Sequence, residues 1–129
     1  EKHKGHQECT RILRQAIAYA GTSLPDIEAI SALGEGWVGE EALAIAVYCA
    51  LSHQDNFKQA LIAAVNHNGD SDSTGAITGN LLGAYLGLSQ IPQGWVVKIE
   101  LLPVLLTVAD VLLVEYNEDN LDWQRYPGY

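Results

Sequence analysis

Gly75, Gly79, Gly83 and Gly87 recur every fourth residue inside an otherwise apolar run. That spacing places them along one side of an α-helix. Each glycine weakens a helix interior by about 1 kcal/mol relative to alanine, so a run of them needs a packing reason. The pattern predicts a helix over residues 73–86 whose glycine side lies in close backbone contact with a neighbouring helix. With Ala76, Ile77, Leu81 and Leu82 on its other sides, this helix is expected to be central and buried over most of its surface.

The rest of the chain also reads as helices. Cys9, Ile12, Leu13, Ala16, Ile17 and Ala20 repeat with helical period over residues 6–20, and Gly21 stops the run. A second, short helix starts at Leu24–Pro25, with proline in its first turn, and runs through Asp26, Ile27, Ile30 and Leu33. Gly34 and Gly36 make a turn that carries Trp37. This indole is either a hydrophobic staple onto the next helix or the wall of a nucleotide cleft. The third helix spans residues 40–52, with Glu40 and Glu41 well placed at its positive end and Leu43, Ala46, Val47, Ala50 and Leu51 as its apolar face. Asp55 is a candidate N-cap for a fourth helix through Phe57, Leu61, Ala64 and Val65 to about His67, read as a helix C-terminal histidine. Pro92 breaks a loop over residues 88–94. Trp95, Val96 and Val97 resume the core as a short helix or an extended piece. A sixth helix over residues 100–116 has Pro103 in its first turn and Asp110 in a very apolar context, where a buried carboxylate needs a partner. The polar tail, residues 117–129, offers Trp123, Tyr126 and Tyr129 as anchors and Arg125 as a surface contact. The fold class is all-α, a compact multi-helix orthogonal bundle in one domain.

The densest chemistry lies in Asn66-His67-Asn68-Gly69-Asp70-Ser71-Asp72-Ser73-Thr74-Gly75. Aspartates at i and i+2 beside a serine can gather oxygen ligands in a tight turn, and oxygen donors suit a hard cation such as Mg²⁺ or Ca²⁺. An equally simple reading has Asp72, Ser73 or Thr74 as the N-cap of the next helix and Gly69 as the C′ residue of the preceding one. The two readings are compatible. A calcium-binding helix–loop–helix starts well at Asp70, Asp72 and Thr74 but fails at Leu81, where a bidentate glutamate belongs.

The string from Asn68 to Asn80 resembles the C-terminal metal motif of the ADP-ribosylglycohydrolase family, which includes the dinitrogenase-reductase-activating glycohydrolases and the J1 crystallins. Upstream, Gly34-Glu35-Gly36-Trp37-Val38-Gly39-Glu40-Glu41-Ala42 resembles that family's glycine-rich turn and helix start. Downstream, Ile91-Pro92 and Trp95 resemble its tail. The resemblance covers about residues 5 to 115. It implies a metal-dependent hydrolase of the glycosidic bond at the anomeric carbon of ADP-ribose, with two Mg²⁺ ions between an N-terminal acidic cluster and the Asp-x-Asp-Ser/Thr motif. It implies Asp70, Asp72 and Ser73 as metal ligands, Asp70 and Asp72 as the catalytic carboxylates, and Gly36, Trp37 and Gly69 beside the bound ADP-ribose. This sequence has no counterpart of the N-terminal Thr-Asp-Asp-Thr-like cluster. The chain therefore reads as the C-terminal part of such a domain, a half-site that is inactive alone. The alternatives are a non-catalytic, crystallin-like structural module and one subunit of a two-chain enzyme.

Composition narrows the partners. A net charge of -9 with only 7 Lys and Arg argues against nucleic-acid phosphate. The most apolar run, residues 99–114, contains Glu100, Pro103 and Asp110 and is short for a membrane span. Cys9 and Cys49 stand far apart, away from any histidine at metal-ligand spacing, and read as buried free thiols in a reducing, cytoplasmic setting. The chain starts at Glu1 and contains no methionine, which reads as a processed or partial polypeptide. The partners expected are an ADP-ribosylated protein or small molecule, the missing N-terminal half or a partner chain, and a second copy through self-association.

Overall fold

The computed structural model describes residues 4–113. The described elements are α1 (Gln7–Ala20), α2 (Asp26–Leu33), α3 (Gly39–Ser52), α4 (Phe57–Val65), α5 (Ser71–Leu86), a 3-10 turn (Leu88–Gln90), α6 (Gln93–Val96) and α7 (Leu102–Leu113), with no strand among them. The protein is an all-α bundle, as the periodicity predicts. The chain divides after Pro92 into two compact units.

In the first unit the hub is α3, which packs against α1, α2, α4 and α5. Contact on so many sides removes any single apolar stripe. Ala42, Ala44, Ile45, Ala46, Tyr48, Cys49 and Ala50 are all buried, whereas the predicted face held only Ala46 and Ala50 of these. Leu51, assigned to that face, is 44% exposed. The alanines keep the helix thin enough for four neighbours to approach. One cluster joins Ile12 and Ala16 of α1, Ile30 and Leu33 of α2, and Ile45 and Cys49 of α3 to Ala63 and Ala64 of α4. A smaller one gathers Ala50, Phe57, Ala60 and Leu82.

The central position of α3 corrects the expectation for α5. The buried side of α5 is Thr74, Gly75, Thr78 and Leu82, while Leu81 is 40% exposed. Two buried threonines are tolerated because their hydroxyls are satisfied: Thr74 donates to the Ala64 carbonyl at 2.7 Å and Thr78 to the Thr74 carbonyl at 2.7 Å. The glycine side is used unevenly, and against side chains instead of backbone. A Cβ at Gly75 would stand 2.7 Å from Val65 Cγ1, one at Gly79 would stand 3.8 Å from Leu61 Cδ1, and one at Gly83 would meet open space. Gly87 is the C-cap, with φ +77°, where glycine carries no Cβ penalty.

Other local expectations shift by a residue or two. Pro25 precedes the first turn of α2, with ψ 140°. The cap of α4 is Asn56, whose side chain accepts from the Gln59 N–H at 3.0 Å, so Asp55 lies outside. Ile17 of α1 is 57% exposed. Cys49 is fully buried but Cys9 is only half-buried, and both are free thiols. Burial, then the nearby Asp26 charge, pushes the Cys49 thiol up to about 12. No local pattern signals the link between the start of α2 and the end of α3: Tyr48 donates to Asp26 Oδ1 at 2.8 Å, and His53 Nε2 sits 2.9 Å from Asp26 Oδ2.

In the second unit α6 is the short helix expected near Trp95. Only Val96 of it is buried, with Trp95 40% and Val97 71% exposed. Pro103 falls in the first turn of α7, where its missing N–H costs nothing. No residue of α7 is buried, and Asp110 is exposed, so the buried carboxylate expected there is solvated. The tail with Trp123, Arg125, Tyr126 and Tyr129, and the end of the sixth predicted helix, lie outside the described residues. Among those described, no helix is long and apolar enough to cross a membrane.

Two measurements check this packing. Gly83→Ala should stabilise by up to about 1 kcal/mol, the helix-propensity gain in open space, while Gly75→Ala should gain less or lose because Val65 must give way; chemical denaturation midpoints read both. A thiol reagent at neutral pH should label Cys9 in the folded chain and reach Cys49 only in denaturant.

Candidate functional site

Two turns meet at the site. One, residues 34–36, joins α2 to α3; the other, residues 66–70, joins α4 to α5. Both need glycine where they touch. A Cβ on Gly69 would land inside the Glu35 carbonyl group, so no larger residue fits. This contact, and not the end of α4, explains Gly69: α4 ends at Val65, capped by Asn66, four residues before it. Directly beyond, the Asp70 N–H donates to the Glu35 carbonyl at 2.8 Å. Gly36, with φ +83°, completes the fit: a Cβ there would come 3.1 Å from Thr74 Cγ2 in a backbone region that side chains disfavour.

The first turn is held from behind by Glu41 of α3. Its Oε2 accepts from the Glu35 N–H at 3.1 Å and the Gly36 N–H at 3.0 Å, and its carboxylate fills the space a Gly34 side chain would need. Its charge alone suits Glu41 to the helix start; the clamp on the turn depends on tertiary contact that no local pattern signals. Trp37 is 66% exposed, and its Nε1–H donates to Glu35 Oε2 at 3.1 Å. An indole so exposed is no staple onto α3, which settles one alternative.

The second turn delivers the acidic residues. Helix α5 begins at Ser71, two residues earlier than expected, and Asp70 takes the N-cap position without a side-chain cap hydrogen bond. Asp72, Ser73 and Thr74 are therefore inside the first turn, and the pure capping reading of them is wrong. Asp72 Oδ1 accepts from the adjacent Ser73 N–H, at 2.9 Å. Hydrogen bonding with the Asp72 carboxyl, then with Ser73, holds the Asp70 carboxyl below the ordinary aspartate range. Asp70, Asp72 and the Ser73 hydroxyl thus come together at the positive end of a helix. Two carboxyls this close repel unless a proton or cation lies between them.

His67 lies in the turn, beyond α4, which corrects its assignment as a helix-terminal residue. Its Nδ1 accepts from the Gly69 N–H at 3.1 Å, and its Nε2 is 2.9 Å from Thr74 Oγ1. A small polar recess of about 130 Å³ opens on this side, lined by Ser31, Gly34, Glu35, His67 and Asn68.

The donor set decides what the turn can hold. Asp70, Asp72 and Ser73 offer oxygen only, which suits a hard divalent cation, but they fill only part of its shell. Among the described residues, no three His, Cys, Asp or Glu side chains gather in a way that could hold a metal ion. A complete two-metal centre needs ligands beyond these.

Residues 1–121 match the family model described as ADP-ribosylglycohydrolase. The chain is 49% identical over 47 residues to the ADP-ribosyl-(dinitrogen reductase) glycohydrolase of Rhodospirillum rubrum, covering 36% of this chain and 16% of that protein. It is 31% identical over 78 residues to human ADP-ribosylhydrolase ARH3, covering 53% of this chain and 22% of that one. It is 42% identical over 50 residues to the ADP-ribosylarginine hydrolase Tri1 of Serratia proteamaculans (strain 568), covering 39% and 14%. The chain therefore spans about a fifth or less of the length of these relatives. No solved structure matches it.

Gly69→Ala should cost roughly 3 kcal/mol, the upper end of overpacking costs, because the Glu35 backbone itself must move; thermal denaturation reads it. Glu41→Ala removes two hydrogen bonds to a charged acceptor and should cost about 2 kcal/mol, with amide exchange rising first at Glu35 and Gly36. The Asp70 carboxyl, followed by NMR, should titrate below the ordinary value of about 3.9. Because its folded-state pKa is depressed, its contribution to stability is present above the ordinary value and is lost as pH falls through the folded one.

Proposed function

The chain belongs to the ADP-ribosylglycohydrolase family, and on that footing we propose that it is the C-terminal, cation-binding part of a hydrolase that cleaves the glycosidic bond of ADP-ribosylated substrates. The observation that carries the reading is the meeting of Asp70, Asp72 and Ser73 in a turn locked against Glu35. The Asp70 side chain makes no cap hydrogen bond, and oxygen donors of this kind hold Mg²⁺.

In this reading Asp70, Asp72 and Ser73 hold one side of a two-Mg²⁺ site. When bound, the metal would supply positive charge that orients ribose hydroxyls and a water and stabilises negative charge on the oxygens it holds. The chain's own residues do the rest. Asp70, kept ionised, and Asp72 bind and orient. Glu41 and Gly69 keep the two turns in register, so that the carboxylates meet a substrate already arranged instead of paying for rearrangement on binding. Gly36 and Gly69 leave room for ligand and backbone side by side. Trp37, exposed and with its N–H tied to Glu35, offers a ring face to a nucleotide base. Asp70, Asp72 and Ser73 leave several Mg²⁺ coordination positions unfilled, so the chain alone is proposed to bind Mg²⁺ weakly and turn nothing over. The remaining ligands come from an N-terminal half of the same protein or from a partner chain.

One observation favours self-association. Leu101, Val104, Leu105, Leu112 and Leu113 are 51–85% exposed, an apolar surface of the kind that marks a protein interface. Sedimentation of the chain at rising concentration tests for self-association through it.

The deciding assay measures ADP-ribose release from a modified-arginine or modified-serine peptide at equal Mg²⁺. The 129-residue chain should show no turnover above background, and a complete protein with the N-terminal acidic cluster should be active. Asp72→Ala in the complete form should abolish turnover while the helical circular dichroism spectrum stays unchanged. Full activity of the short chain would overturn the half-site reading; inactivity of both would favour a structural, crystallin-like role.

A further inference from the structure

We propose that His67, held as the neutral Nε2–H tautomer, is a positioning residue that sets the Asp70 carboxylate for cation binding; this rests on the reading of residues 70–73 as a cation site. The tautomer follows from the partners. The Gly69 N–H can only donate, and it faces Nδ1 at 3.1 Å, so Nδ1 presents its lone pair and the ring proton is on Nε2. That N–H then donates to Thr74 Oγ1 at 2.9 Å. The Thr74 hydroxyl, with its lone pair engaged, sends its single proton to the Ala64 carbonyl at 2.7 Å, closer than the Asp70 carbonyl at 3.1 Å or the Ser71 carbonyl at 3.3 Å. Every direction in this relay is forced.

The relay joins three backbone points around the acidic turn. Ala64 is in the last turn of α4, Thr74 is fully buried in the first turn of α5, and Gly69 is the residue before Asp70. The Glu35 carbonyl takes the next N–H, that of Asp70, so the N–H groups on either side of the Gly69 α-carbon are both held. A group that orients a ligand in this way commonly changes metal affinity by about 10–100-fold when it is removed. A histidine that only filled space would show no preference for one tautomer and no dependence on which of its two bonds was kept.

The test separates those bonds. Imidazole ¹⁵N correlation spectra of the folded chain at neutral pH should show His67 with Nε2 protonated and Nδ1 bare; the opposite tautomer overturns the proposal. Mn²⁺, added as a paramagnetic probe, should broaden the backbone amides of residues 70–73. His67→Ala should weaken that binding by about tenfold or more. His67→Asn places an oxygen where Nδ1 was, keeps the Gly69 bond and should retain most of the affinity. His67→Gln keeps only the donation to Thr74 and should fall with alanine. If the alanine variant does not fold, the asparagine–glutamine comparison decides alone. Equal binding by all variants overturns the positioning role and leaves the cation site standing. No broadening in the unmodified chain removes the cation reading, and the proposal with it.

Discussion

A single backbone contact organises the two turns of the candidate site. The Glu35 carbonyl lies against Gly69 so closely that no side chain fits, and it accepts the Asp70 N–H at 2.8 Å. Two loops with no regular structure thereby become one rigid edge. Loops placed on a packed helical scaffold are where binding groups usually sit, and here the scaffold reaches the loops twice, through Glu41 from α3 and through the His67–Thr74 relay from α4 and α5. In the proposed cation site these contacts orient the carboxylates of Asp70 and Asp72.

That scaffold rests on α3. A helix with buried residues on nearly every side has no amphipathic stripe, and its alanines let four other helices come near. The glycines of α5 do a different job from the one their spacing suggests. Gly75 receives Val65, Gly83 faces open space and Gly87 ends the helix. The inward contacts of α5 fall on its threonines, whose hydroxyls return to backbone carbonyls and so are buried without an unmet hydrogen bond. The strictest need for glycine is in the loops, at Gly69, where the neighbour is a backbone carbonyl instead of a rotatable side chain.

Family membership and donor set together bear on what the site lacks. The chain brings two carboxylates and a hydroxyl to one place, and it spans about a fifth or less of relatives described as ADP-ribosyl hydrolases. Hard divalent cations take six or more oxygens. In the proposed reading the remaining ligands are supplied by other protein.

The sequence by itself determined the all-α class, most helix boundaries to within two residues, and the grouping of Asp70, Asp72 and Ser73, because periodicity, helix stops and i,i+2 spacing are local properties written in one stretch of chain. It did not determine which helix is the hub, since residues buried on all sides carry no periodic signature. Nor could it assign the exposure of Trp37 and Asp110, the Asp26–Tyr48–His53 link, or the clamp by Glu41, because each depends on a neighbour from another element or on that neighbour's absence. Gly69 shows the difference most plainly. Its position before an acidic pair suited a helix terminus equally well, and only the arrival of Glu35, 34 residues away in sequence, makes any side chain there impossible.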